Sequence, residues 1–143
     1  MDCDLCFKSS AYEAQLETMT KDGVDGLLLF FESKNNRYSY CELNEDGRTV
    51  KRTAEKQVIS NCALIGAYGF GTGKAFLEAG KRLVARALDP ASGFKEYYVS
   101  LLFNFVLEAG GKVVAAPMDE FHSFGTPEEL ECYKKGERSY RLE

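Results

Sequence analysis

Apolar residues in this chain recur in two rhythms, short unbroken runs and faces that repeat every three or four positions, and the two alternate from one end to the other. Ser9-Ser10 supplies a cap for a helix over residues 11–20, where Tyr12, Leu16 and Met19 fall on one face and Lys21-Asp22-Gly23 ends the pattern. The run 26–31, Gly-Leu-Leu-Leu-Phe-Phe, predicts a strand buried on both sides, as in a parallel or mixed sheet. Residues 38–43 and 49–54 alternate around Asn44-Glu45-Asp46-Gly47, and the Asp-Gly pair supplies the positive backbone angle of a tight hairpin. A second apolar strand covers 62–70. After it comes a helix over 74–88, with Phe76, Leu77, Leu83, Val84 and Leu88 as its apolar face and Asp89-Pro90 as its stop. A further helix is expected over 95–109, with Tyr98, Leu101, Leu102, Phe105 and Val106 inward and Gly110-Gly111 as its left-handed exit. A strand over 112–117 follows, then a helix opened by Thr126-Pro127-Glu128-Glu129, a capping box with proline at the first helical position. Strands interleaved with helices around one hairpin make an α/β fold, a mixed-sheet sandwich with an inserted β-hairpin, formed by residues 1–143 as one domain.

Composition narrows the function classes. A net charge of -4 argues against a nucleic-acid partner, because that affinity rests on clustered Lys and Arg releasing counterions. No apolar run approaches the length of a spanning helix, and Met-Asp-Cys-Asp is acidic where a signal peptide is basic, so the expectation is a cytoplasmic protein with no membrane partner. The five cysteines, Cys3, Cys6, Cys41, Cys62 and Cys132, are scattered and odd in number, which suits reduced thiols. Cys3-x-x-Cys6 has the spacing of half a zinc site, yet His122 is the sole histidine and no second Cys pair completes a tetrahedron.

Gly66-Ala67-Tyr68-Gly69-Phe70-Gly71-Thr72-Gly73-Lys74 stands between a predicted strand and a predicted helix, where a phosphate-binding loop belongs. The spacing fails: Tyr68 stands where a P-loop needs glycine, and Ala75 where it needs Ser or Thr. A glycine-rich strand-to-helix turn is the simpler reading. Glu55-Lys56, taken alone, is an ordinary exposed charge pair at a strand end.

Several phrases taken together say more. Asp4-Leu5-Cys6-Phe7, the hairpin with Tyr38-Ser39-Tyr40, Ala54-Glu55-Lys56 with Ile59-Ser60-Asn61, Gly66-Ala67-Tyr68-Gly69-Phe70, Glu96-Tyr97-Tyr98 and Gly125-Thr126-Pro127-Glu128-Glu129-Leu130 occur in the order and rough spacing of one family. Over most of its length the chain resembles the second half of a sugar-phosphate nucleotidyltransferase, in the nucleoside-diphosphate-sugar pyrophosphorylase superfamily with its phosphocholine cytidylyltransferase-like branch. The resemblance implies that Lys56 holds the phosphate of a sugar 1-phosphate or phosphocholine, that Glu55 accepts hydrogen bonds from its hydroxyls, and that Gly66 and Glu96 border the same substrate. It also implies magnesium on Asp4, with Asp2 as a second candidate ligand. Two departures are visible. Ser123 stands where the family carries a second acidic metal ligand, and no glycine-rich loop followed by Arg and Pro-Lys precedes Asp4. The expectation is therefore a protein inactive alone for lack of preorganised phosphate donors. Either a complementing N-terminal nucleotidyltransferase half completes it, or it is a structural remnant that assembles as a homo-oligomer. Loss of the first strands should leave an unpaired edge or an uncovered face at 27–31 or 63–68, and such surfaces recruit partners.

Overall fold

The computed structural model describes residues 3–86, 88 and 96–137. Its strands and helices follow in the order β1 (Leu5–Lys8), α1 (Ser10–Thr18), β2 (Gly26–Glu32), β3 (Ser39–Leu43), β4 (Val50–Glu55), β5 (Cys62–Phe70), α2 (Gly73–Val84), α3 (Leu102–Glu108), β6 (Val113–Pro117), β7 (Glu120–Ser123) and α4 (Pro127–Lys134), with a 3-10 turn at Val99–Leu101 leading into α3. Five strands form a mixed sheet in the order β4-β3-β5-β2-β6, in which β2 and β6 run parallel and the remaining pairs antiparallel. The α/β fold with a mixed sheet and an inserted hairpin is the one expected from the sequence.

The middle of the sheet is built by the leucine run. Leu27, Leu28 and Leu29 have no exposed surface, because β2 lies between β5 and β6 and both of its faces are covered. Alternation divides them: Leu27, Leu29 and Phe31 pack with Tyr12, Met19, Tyr40, Ile65, Val114 and Phe121 on the α1 side, while Leu28 packs with Leu83, Phe103, Phe105 and Val113 on the α2–α3 side. Gly26 is required by closeness: a β-carbon there would stand 2.8 Å from the Phe103 ring. Because β2 is paired on both sides, the open edge expected at 27–31 does not exist. β5 differs, since β3 joins it through one residue pair, Tyr40 with Ala63.

Four expectations need correction. In α1 the face is turned: Leu16 is 46% exposed, and the polar Gln15 is buried instead, where its side-chain oxygen accepts from Arg48. In α2 only Ala79 and Leu83 are buried, while Leu77 and Val84 are 58% and 59% exposed and Phe76 and Leu88 are also exposed. The helix ends at Val84, where the Ala85 amide finds the carbonyls of Lys81 and Leu83. The helix expected over 95–109 begins only at Leu102; Lys95 lies outside the described residues, and Tyr98 is extended (φ -108°, ψ 135°). The Tyr97 hydroxyl donates to the Arg86 carbonyl at 2.9 Å and lies 3.3 Å from that of Val84, which ties this segment to the end of α2. Finally, β1 and β7 form an antiparallel ribbon that the sequence pattern did not announce. Its outer face is pinned by Glu120, which accepts from Lys8 at 2.8 Å and meets His122 at 2.9 Å; the Lys8 ammonium, then His122, draw the Glu120 carboxyl down to about 2.

Local signals hold where they are strongest. Ser9 caps α1 by accepting from the Tyr12 amide and donates its own proton to Pro117 O, which ties the helix start to the end of β6. Thr126 and Glu129 form the reciprocal capping box of α4. Asn104 binds both the amide and the carbonyl of Thr53 and so acts as a strand edge for β4, while Thr53 Oγ1 donates to Ser100 O. This locks the 3-10 turn beside the end of the hairpin.

Candidate functional site

A cavity of about 410 Å³ opens where four elements meet: the hairpin (Tyr38, Ser39, Glu55), β5 (Leu64, Ile65, Gly66), the segment into α3 (Tyr97 to Ser100) and the ribbon (Asp4, Leu5, Phe121, Ser123). β5 can line it because its ladder bulges. Between Leu28 and Phe30 the register with β2 shifts, and Gly66 sits at that irregularity with φ 85°, a conformation glycine takes without strain.

The cavity floor holds a buried carboxylate. Glu55 is 5% exposed at the end of β4, directly across from Ser39 on β3. Its Oε2 accepts from Ser39 Oγ at 2.5 Å and from Ser100 Oγ at 2.7 Å, and Ser100 is itself 1% exposed. Both hydroxyls spend their protons on one oxygen. Neither bond uses Oε1, and Glu55 lines the cavity.

The next residue breaks a backbone rule. Lys56 has φ 52°, the only positive value for a non-glycine residue in the described chain. A residue with a β-carbon in the left-handed region is strained and persists where its surroundings fix it; here the Lys56 amide donates to Tyr38 O at 3.1 Å. The turn carries the ammonium to Tyr98 on the cavity lining, whose hydroxyl accepts from Nζ at 3.0 Å and whose ring centroid lies 5.0 Å away. Tyr98, by this hydrogen bond above all, raises the Lys56 pKa, and the charges of Glu55 and Glu96 add to it. Lys56 is therefore a fixed cation at the rim. Arg37 is a second one: it lines the cavity, lies with its guanidinium 4.6 Å over the Tyr38 ring, and reaches Glu129 at 3.5 Å.

Asp4 is exposed at the opposite side of the mouth. A β-carbon on Gly125 would stand 3.0 Å from Asp4 Oδ2, 3.4 Å from Glu129 Oε2 and 3.7 Å from Ser123 Oγ, so these groups converge on that glycine. Glu129 is committed, accepting from Ser123 Oγ at 2.8 Å and from the Thr126 amide at 3.1 Å. Among the described residues no group of three or more His, Cys, Asp or Glu side chains is placed to hold a metal ion. Magnesium is commonly held by one or two carboxylates plus phosphate oxygens, and Asp4 is a single exposed carboxylate on the cavity lining.

Of the residues singled out from sequence, Asp4, Glu55 and Gly66 share the cavity, Lys56 stands at its rim through Tyr98, and Glu96 is exposed beside Lys56 without lining the cavity. Asp2 lies outside the described residues. The glycine-rich turn before α2 does not form a phosphate cradle here: Gly69 to Lys74 stay off the cavity lining, and Thr72 is engaged as the helix cap, accepting from the Ala75 amide at 3.1 Å. Cys3 and Cys6 are exposed free thiols. Sequence reasoning missed Arg37, Ser39, Ser100 and Glu129 as parts of the site. The one local sign was Arg37-Tyr38 at the entrance to the hairpin; the serines carry no signature of their own.

The same fold is found in solved structures. A nucleoside-diphosphate-sugar pyrophosphorylase from Vibrio cholerae RC9 superimposes with a TM-score of 0.71 at 24% identity, over 82% of this chain and 48% of that one. A protein described as a glucose-1-phosphate thymidylyltransferase from Bacillus anthracis, in complex with a sucrose, gives 0.65 at 18% identity over 98% and 54%. An apo UDP-glucose pyrophosphorylase gives 0.63 at 18% identity over 89% and 49%. The chain spans about half the length of these proteins. No family model and no curated protein matches it. Identities in this range carry the fold, which is nucleotidyltransferase-like.

Proposed function

We propose that this chain is the acceptor-binding part of a nucleotidyltransferase-like protein, holding a phosphorylated sugar or phosphocholine-like molecule in the cavity between Glu55 and Lys56, and that alone it does not turn over a nucleoside triphosphate. The observation that carries this reading is the Glu55–Lys56 step. A buried carboxylate that lines the cavity has one oxygen engaged by two serine hydroxyls and its second oxygen outside both bonds, and the following residue is held in a strained turn with its ammonium on Tyr98, another lining residue. Carboxylate oxygens accept from sugar hydroxyls, and a fixed ammonium holds a phosphate dianion as a point charge. Arg37 adds a planar donor on the same rim.

In the full reaction class, an acceptor phosphate attacks the α-phosphorus of a nucleoside triphosphate in line and pyrophosphate leaves, so the protein's work is positioning and charge neutralisation. Lys56 would orient the attacking phosphate, Glu55 would fix the ring hydroxyls, and Asp4 would receive magnesium, which when bound neutralises charge on the phosphates. None of these groups cradles a triphosphate. Donors of that kind must come from elsewhere, either a complementing N-terminal half or a second copy. Completion by another segment is favoured by β5, which past Ala63 has no residue pair with β3 among the described residues and lines the cavity at Leu64, Ile65 and Gly66.

Thermal unfolding with magnesium and a panel of nucleoside triphosphates, sugar 1-phosphates and phosphocholine tests the reading. An acceptor at a hundred times its dissociation constant stabilises the native state by about 2.7 kcal/mol, a clear rise in midpoint that triphosphates alone should not produce. A panel that leaves the midpoint unmoved would remove the acceptor site. Light scattering at micromolar concentration addresses the partner: a homodimer or larger oligomer is expected, and a clean monomer that binds acceptor would remove self-assembly and leave the complementing half as the route to completion.

A further inference from the structure

We propose that Cys41 and Cys62 form a reversible oxidation site, in which hydrogen peroxide converts the two thiols into a disulfide that locks the β3–β4 hairpin onto β5. The pairing places them together. Tyr40 is registered with Ala63 in antiparallel β3 and β5, so the next residues in each direction, Cys41 and Cys62, stand opposite one another. Directly opposed residues share a face, and the packing agrees: Tyr40 and Ala63 lie in the cluster on the α1 side, Cys41 and Cys62 in the one on the α2–α3 side. Opposed positions in antiparallel strands are about 4.5–5.5 Å apart between α-carbons, inside the span of about 4.4–6.8 Å that a disulfide bridges. Ser60 pins the strands at this point, its hydroxyl accepting from the Cys62 amide at 2.9 Å and donating to Cys41 O at 2.6 Å.

The two thiols have different roles. Cys41 is fully buried; Cys62 is half-buried and reachable by a small neutral oxidant. The hydrogen bond from Cys41, aided by Ser60, holds the Cys62 thiol below its ordinary range against burial and the charge of Glu32, its partner across β2, while the same contact and burial push Cys41 up. Cys62, the sulfur a small oxidant can reach, is the one that attacks, as its thiolate. It attacks one oxygen of the peroxide; the O–O bond breaks, water leaves after one proton is taken up, and Cys62 becomes a sulfenic acid. The Cys41 sulfur then attacks the Cys62 sulfur, the S–O bond breaks, the Cys41 proton goes to the departing hydroxide, and a second water leaves. The two thiols have lost two electrons and two protons, and the peroxide has taken both. The single residue pair joining the hairpin to β5 gains a covalent tie, and that hairpin carries Ser39 and Glu55.

The test is peptide mapping of the intact protein, without reducing agent, after brief exposure to hydrogen peroxide. A Cys41–Cys62 linked peptide is expected, reversed by dithiothreitol, with the midpoint of unfolding raised by at least about 5 °C in the linked form. In Cys41→Ser the sulfenic acid has no resolving thiol, and Cys62 should accumulate a dimedone adduct. Cys3 and Cys6, both exposed, serve as internal controls. Oxidation that consumes Cys3 and Cys6 while Cys41 and Cys62 remain thiols would overturn the proposal, as would a link from Cys62 to any other cysteine. The mapping uses the natural sequence, so it decides the matter even if the variant does not fold.

Discussion

Replacing Lys56 with glycine is expected to stabilise the protein and weaken its ligand binding at the same time. Lys56 sits at φ 52°, where a side chain meets its own backbone and glycine meets nothing. Relief of that strain outweighs the entropy glycine loses on folding, so the unfolding midpoint should rise by roughly 3–5 °C. Lys56→Ala keeps the strained turn and should not rise. Both changes remove the ammonium held on Tyr98 at 3.0 Å, so both should lower affinity for a phosphorylated acceptor by about 10- to 100-fold, an effect that shrinks as salt is added. A functional lysine in a costly turn predicts these opposite signs; an idle surface lysine predicts the stabilisation alone. Titration calorimetry beside thermal melts separates the two, and unchanged affinity in Lys56→Gly would retire Lys56 as a ligand contact.

How much of this was legible beforehand follows from where each signal is stored. β5 reads to the residue, Cys62–Phe70, because an apolar run enclosed by Ser60-Asn61 and Gly71-Thr72 has few other solutions. The hairpin reads from its turn, whose Gly47 adopts φ 65°. β1 and β7 do not read, since four residues each give no period to detect and their pairing joins Leu5 to Ser123. In α2, amphipathic spacing says that one side is apolar and does not say that anything covers it. The site divides in the same way. Glu55-Lys56 and Asp4 could be picked out through the phrases around them, whereas Ser39 and Ser100 meet Glu55 from 16 and 45 residues away. Those contacts are products of the fold.

Glu55 carries the larger effect, because it serves packing and binding together. Glu55→Ala removes the acceptor that two hydroxyls share, one of them on Ser100 at 1% exposure. A buried donor left without a partner costs about 1–3 kcal/mol. An opposing term exists, since a carboxylate taken out of water is itself unfavourable, but Glu55 lines the cavity and the two hydroxyls already solvate Oε2, so the loss should win. The expected result is about 2 kcal/mol of destabilisation, a midpoint lower by roughly 5–10 °C, and no detectable acceptor binding. Glu55→Gln separates the two roles. Its amide oxygen can take both serine protons and keep the fold within about 1 kcal/mol of the natural protein, but its NH₂ then stands where an acceptor oxygen stood, and affinity for a polyhydroxylated phosphate should fall about tenfold, or about 1.4 kcal/mol. If Glu55→Gln binds acceptor as well as the natural protein does, Glu55 is there only to hold Ser100 and the 3-10 turn against β4, and the cavity must recognise its ligand through Arg37 and Lys56.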